Sequence, residues 1–203
     1  MKTRAKNILF STCLLCIWAL SACSSIPAAP NPTADITAPP ITEPTVALTA
    51  TQVTPSILPA LANANYPIDI TSTQMAQLKD GVFEESAAPG SASKITVTLG
   101  KNQVEGDLNG DGVPDSAVTL IADPGGSGTF TYLAAVINKN GTADPLNSVL
   151  LGDRIILKSL TFQSGQIEVE YLDHAANEPL ASDPTLAVNK KFKLQDNKLI
   201  EVK

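Results

Sequence analysis

The residues best equipped for chemistry lie together in mid-chain, Asp107-Leu108-Asn109-Gly110-Asp111-Gly112-Val113-Pro114-Asp115. Side-chain oxygens recur at the first, third, fifth and ninth places of this stretch, and Gly112 at the sixth permits a sharp turn. Calcium takes roughly six to eight hard oxygen ligands at ~2.3–2.6 Å. Alternate residues of a tightly curled loop can all point inward toward such an ion, joined by the backbone carbonyl of the seventh residue. Asp107, Asn109, Asp111, Val113 and Asp115 are therefore the expected ligands of a structural calcium ion. Three carboxylates are nearly balanced by one divalent cation and repel one another without it. The same residues also suit an acidic hairpin turn, because Asn-Gly and Asp-Gly form turns without metal. Both readings stand at this point.

A second candidate is Asp123-Pro124-Gly125-Gly126-Ser127-Gly128-Thr129. Gly125, Gly126 and Gly128, with Ser127 among them, would let a ligand approach the backbone closely. The stretch lacks the Lys-Ser/Thr pair of a phosphate-binding loop, so a flexible hairpin loop is the simpler reading. The one histidine, His174, stands between Asp173 and Glu178 in the chain. Nothing in its spacing to a serine supports a Ser-His-Asp site. Leu151 to Arg154 reads as a turn, with Arg154 pairing a loop carboxylate. Glu168 and Glu170 alternate and face solvent together. A pocket bringing together Asp153, Arg154, His174 and Glu178 would argue for an enzyme, whereas a groove without convergent titratable groups would argue for binding.

The elements that must position these loops read as strands. Short β-branched stretches alternate with turn signals every eight to twelve residues, the pattern of an all-β sandwich, meander or partly open barrel built from antiparallel strands. Gln77 to Phe83 suits a hairpin about Asp80-Gly81. Further strands are expected over Lys94–Leu99, Ser116–Ala122, Thr129–Asn138, Arg154–Phe162 and Gln166–Leu172. Lys191–Leu194 and Leu199–Val202 suggest a closing hairpin about Asp196-Asn197. Thr71–Leu78 is a strand region or a short helix; no convincing helix pattern occurs elsewhere in the domain. No repeat with a period of 20–50 residues is apparent.

The N-terminus sets the compartment. Lys2, Arg4 and Lys6 precede an apolar run from Ile8 to Leu20, too short for an ordinary membrane span of ~20 residues. Leu20-Ser21-Ala22-Cys23 closes it and resembles the lipobox of bacterial lipoprotein signal peptides. That resemblance implies removal of residues 1–22 and lipidation of the Cys23 sulfur. One acyl chain anchors only marginally and two or more anchor stably, so the lipid bilayer is an expected partner. The implied location is the extracytoplasmic side of the cell envelope, at the outer membrane of a diderm or the outer face of a monoderm's cytoplasmic membrane. Cys13 and Cys16 fall within the leader, so no thiol is left for a disulfide, a nucleophile or a metal.

From residue 23 to 64 the chain is rich in Pro, Thr and Ala, with Asp35 and Glu43 its only charges. Such a composition cannot bury enough apolar surface to order itself, and the segment is expected to be a disordered tether. Its reach would lie between about 35 Å as a coil and about 120 Å fully extended. Pro55 and Pro59 argue against a helix over Val53–Leu61. Residues 65–203 then form one mainly β domain. The chain has 14 basic and 20 acidic residues; losing Lys2, Arg4 and Lys6 takes the formal charge from −6 to −9. With no basic run, nucleic acid is not an expected partner.

The acidic stretch begins like an EF-hand loop, but Val118 stands where the bidentate Glu would be and strands flank it. It is more similar to the calcium loops between strands of FG-GAP and VCBS-type repeat proteins, in which such a loop opens into an apolar strand like Ser116–Leu120. Only one copy is present, so the resemblance covers the loop and excludes a multi-bladed propeller. Gly106–Gly112, Gly125–Phe130, Leu151–Arg154 and Glu178-Pro179, in this order, also look like a domain of bacterial secreted proteins and lipoproteins that has no established activity. The expected function is binding within the cell envelope, to a protein or glycan, by a calcium-stabilised domain. An envelope hydrolase using Asp and Glu residues, and a spacer without ligand, are the alternatives.

Overall fold

The computed structural model describes residues 56–203, and these are mainly β. After a four-residue helix, α1 (Leu58–Leu61), strands β1 (Asn65–Pro67) and β2 (Met75–Gln77) pair with each other. Strands β3 (Val82–Ser86), β4 (Lys94–Gly106), β5 (Asp115–Asp123), β6 (Phe130–Lys139) and β7 (Thr142–Asp153) lie in chain order as a five-stranded sheet. Strands β8 (Ile156–Gln163), β9 (Gln166–Asp173), β10 (Leu186–Gln195) and β11 (Lys198–Val202) form a four-stranded sheet, also as a meander. All pairings are antiparallel. The expected antiparallel architecture is therefore present, as a sandwich whose first sheet carries an additional N-terminal layer.

The centre of the five-stranded sheet is covered on both faces. On one face Val118, Leu120 and Ala122 of β5 lie with Tyr132, Ala134 and Val136 of β6, and Ile57, Leu61, Tyr66, Ala76 and Leu78 pack over them. On the other, Ala117, Leu133, Ala135 and Ile137 meet Ile167, Val169, Tyr171, Phe192 and Leu199 of the second sheet. This accounts for the nearly continuous apolar runs of β5 and β6, since a strand with one wet face would alternate.

The N-terminal layer corrects the expected boundary. Residues 56–64, assigned to the tether, are part of the folded domain: Ile57 and Leu61 are fully buried. Pro59 does not oppose α1 because it sits in the first turn, where a helix amide has no intrahelical acceptor to lose. The Tyr66 hydroxyl donates to the Leu61 carbonyl at 2.9 Å, closing the end of the helix, and burial pushes its phenol well above the usual range. Within Thr71–Leu78 the ordered element is the strand β2, so the short-helix alternative falls.

Two-residue turns with both residues at positive φ join several strands: Asn140-Gly141, Ser164-Gly165 and Asp196-Asn197. Their twist matches that of the flanking strands. Asp80-Gly81 has the same form, but only Lys79 and Val82 bridge across it before β2 and β3 part into different sheets. Strand β7 had no counterpart in the sequence reading. It contains Pro145, tolerated because β7 is an edge strand with an irregular register beside Val136.

The two sheets meet at their edges through side chains. Asn147 of β7 clips onto β11, its Oδ1 accepting the Leu199 amide at 2.7 Å and its Nδ2 donating to the Leu199 carbonyl at 3.3 Å. At the opposite seam Gly106 of β4 lies under the Phe162 ring of β8, and a Cβ there would overlap the ring. Leu61→Ala should destabilise the domain by about 2–5 kcal/mol, the usual range for emptying a core leucine site. Urea unfolding checks this, and a loss below about 0.5 kcal/mol would return residues 56–64 to the tether.

Candidate functional site

The acidic loop joins β4 to β5 and is largely held by its own side chains. Asp107 accepts the amides of Gly110 and Asp111 on Oδ1, at 2.7 and 3.1 Å, and that of Gly112 on Oδ2 at 2.9 Å. Asn109 Oδ1 accepts the Asp111 amide at 2.8 Å, and Asp111 Oδ1 that of Val113 at 2.7 Å. Asn109 also donates to Asp111 Oδ2 at 2.9 Å. Asp107, Asn109 and Asp111 thus share one rim of the loop.

Asp115 behaves differently. It is fully buried at the start of β5, where Oδ2 accepts the Leu108 amide at 3.0 Å and Oδ1 the Asn138 amide at 2.8 Å. It ties the loop to the end of β6, and Asn138 completes the tie by donating to the Pro114 carbonyl at 3.1 Å. Burial pushes the Asp115 carboxyl up, against the pull of these amides. No three His, Cys, Asp or Glu side chains gather closely enough among the described residues to hold a metal ion. The oxygen donors that share a face are therefore two carboxylates and one amide, with Asp115 beneath them.

The opposite end of the sandwich collects the other sequence candidates. Asp153 accepts the Thr129 amide at 2.8 Å and both Nε and Nη2 of Arg154, at 3.2 and 2.9 Å. The guanidinium holds the Asp153 carboxyl below the usual range. Arg154, at φ 51, also donates from Nη1 to the Leu180 carbonyl at 3.2 Å, fastening the β9–β10 connection. Glu178 Oε2 accepts the amides of Ala175 and Thr185 and the Thr185 hydroxyl, at 2.9, 3.3 and 3.3 Å. These bonds, the Ala175 amide first, draw its carboxyl down. His174 lies near enough to favour both the Asp153 and the Glu178 anions, yet its two ring nitrogens are buried without a hydrogen-bond partner.

Asp153, Arg154, His174 and Glu178 are thus brought to one end, but Asp153, Arg154 and Glu178 serve there as fastenings of a loop. No base reaches the histidine by a hydrogen bond. The glycine-rich loop, β5 to β6, serves packing at Gly125, where an added Cβ would press on the Lys94 carbonyl. Ser127 is exposed and has no bond to the cluster.

A cleft lies between the sheets near this end, and sequence reasoning missed it. Its volume is about 550 Å³. Thr98, Thr119, Ile121 and Thr131 of the first sheet line one wall, and Leu157 of β8 with Ile155 just before it lines the other. Gly100, Lys101 and Asn102 form the rim, where β4 bulges between Leu99 and Gln103. Thr119 Oγ1 donates to the Asn102 carbonyl at 3.2 Å and steadies that bulge. None of Gly125–Gly128, Asp153, Arg154, His174 or Glu178 lines the cleft. Its only trace in the sequence is a threonine at inward positions of otherwise apolar β5 and β6.

Cys23, the leader before it and the tether up to Pro55 lie outside the described residues. The antiparallel sandwich with an N-terminal layer is the class that this geometry defines. Neither a protein-family model, a curated protein nor a solved structure matches the chain.

The depressed Glu178 carboxyl gives the β9–β10 connection a pH dependence. A carboxylate held below its unfolded value stabilises the fold above the ordinary carboxylate range, and that contribution is lost as pH falls through the folded value. Hydrogen exchange over residues 175–185 should therefore quicken, relative to the intrinsic rate, as pH falls below about 4. Glu178→Gln should quicken it at neutral pH and flatten the dependence. An unchanged neutral-pH rate in that variant would remove Glu178 from this role.

Proposed function

We propose that the chain is an envelope lipoprotein, anchored through lipid on Cys23, whose β domain binds a ligand in the cleft between its sheets. The observation that carries the binding reading is the cleft itself, with aliphatic walls, threonine hydroxyls, one cationic rim residue and no acid–base pair. Mostly apolar walls with a few polar groups are the usual composition of a ligand site. The titratable cluster at the same end supports this over hydrolysis, because its carboxylates hold backbone amides and a guanidinium. A saturable titration of 1-anilinonaphthalene-8-sulfonate, one molecule per chain, is expected, and Ile121→Trp should weaken it at least tenfold without changing the circular dichroism spectrum. Cys23→Ser should leave the titration intact while moving the protein from detergent to aqueous phase on partition. Equal titration of the Trp variant would remove the cleft from the reading, and unchanged partition would remove the anchor.

The same proposal gives the acidic loop a stabilising calcium ion, held by Asp107, Asn109 and Asp111 with the Val113 carbonyl. Support comes from three oxygen-bearing side chains on one rim, in a loop whose Gly110 and Gly112 both have φ of +83°. Asp115, named with them from spacing, takes the part of a support beneath the site. Millimolar calcium should raise the melting temperature, and Asp111→Ala should abolish that rise. Asp115→Ala should lower the melting temperature with or without calcium, because two buried amides lose their acceptor, each worth about 1–3 kcal/mol. Absence of calcium binding in calorimetry at millimolar concentration would leave the loop a self-capped turn.

A further inference from the structure

Each edge of a β-sheet exposes unpaired amides and carbonyls, and folds close or blunt such edges. Two of the four main edges here are closed on each other, β7 and β11, by the Asn147 clip. The edge at β3 is only five residues long and carries Glu84 and Glu85. The edge at β8 runs from Ile156 to Gln163; its Phe162 end packs on Gly106 of β4, and its beginning, on the side away from β9, has no ladder partner among the described residues. Beside its first turn of residues lies the cleft, whose far wall is the inner face of the first sheet.

We infer that the ligand of the cleft is an extended, acidic peptide that adds as a strand to the open edge of β8, an inference that rests on the cleft-binding reading above. An unpaired edge offers amides and carbonyls in alternation, and an extended main chain answers that pattern along its length. Side chains of an added strand alternate between faces, so every second one enters the cleft and meets Ile121 and Leu157. Charge selects the partner. Lys101 on the rim is exposed and Lys158 is the only charged residue of β8, and neither forms an ion pair among the described residues. The cleft lining holds no carboxylate. A second copy of β8 would bring like charges together, which disfavours self-pairing; a peptide carrying glutamate is attracted.

The test uses the full chain in detergent micelles and the capped peptide acetyl-Thr-Val-Thr-Val-Glu-Val-Thr-Val-amide. Two twins carry N-methyl groups at alternate residues, one in each phase, so that one twin has methyls on the edge that would face β8. The parent peptide is expected to bind saturably and to slow amide exchange in β8. The twin with methyls toward β8 should bind at least tenfold more weakly, and Lys101→Glu should cost severalfold. Equal binding by the parent and both twins would overturn strand addition while leaving the cleft reading intact. Loss of peptide binding with the naphthalene probe still titrating would overturn the peptide as ligand. Undiminished peptide binding by Ile121→Trp would place the peptide site elsewhere and overturn this inference, while the naphthalene titration of the same variant decides the cleft reading.

Discussion

A sheet with two apolar faces has to be covered twice, and this constraint organises the domain. Strands β5 and β6 bury nearly every side chain, so neither the N-terminal layer nor the second sheet is dispensable. The second sheet forms by chain continuation through β8 to β11. The first cover has to come from upstream, which is why Ile57, Leu61 and Tyr66 belong to the core although their neighbours are Pro and Ala. Burial of a large apolar side chain stabilises by roughly 1.5–3 kcal/mol. That gain is large enough to order a short segment whose own helix propensity would not.

Fixing the first sheet also explains where polar residues could enter it. Asp115 and Asn138 are buried at the end of β5 and β6 nearest the acidic loop, and there they satisfy backbone amides and a carbonyl that would otherwise have no partner. Buried polar groups persist where they are hydrogen-bonded. The ninth place of the acidic stretch therefore serves the fold as an internal tie, and its spacing from Asp107 follows from the loop's length as much as from any ion. At the other end of the same strands the inward residues include Thr119 and Thr131, themselves buried, and the cleft begins there.

Much of this was legible from local pattern. Alternation, β-branched runs and Gly, Asn and Asp turns marked most strands of both sheets, because those signals act within a few residues. What escaped depended on partners distant in sequence. Composition alone extends the tether to residue 64, since a Pro-rich stretch does not reveal a face waiting to be covered by Leu61. Strand β7 was hidden by Pro145, whose harmlessness comes from an edge position. Ser116–Ala122 was recognised as a strand, yet nothing in it distinguished Thr119, which lines an opening, from Thr residues that face a neighbour. Asp153, Arg154, His174 and Glu178 do converge, but hydrogen bonds that spacing cannot foretell make fastenings of Asp153, Arg154 and Glu178.

The two covers of the central sheet are unequal, and the difference has a geometric cause. The N-terminal layer lies directly on one face through α1, β1 and β2. The second sheet is itself a sheet, with a twist of its own, and two twisted sheets keep their strands only approximately aligned. They stay in register where Gly106 admits the Phe162 ring and where Asn147 holds β11. Away from those points a cleft lies between them, at the bulge of β4 over Gly100–Asn102 and the start of β8. The bulge of β4 thus forms the rim of the opening beside the start of β8.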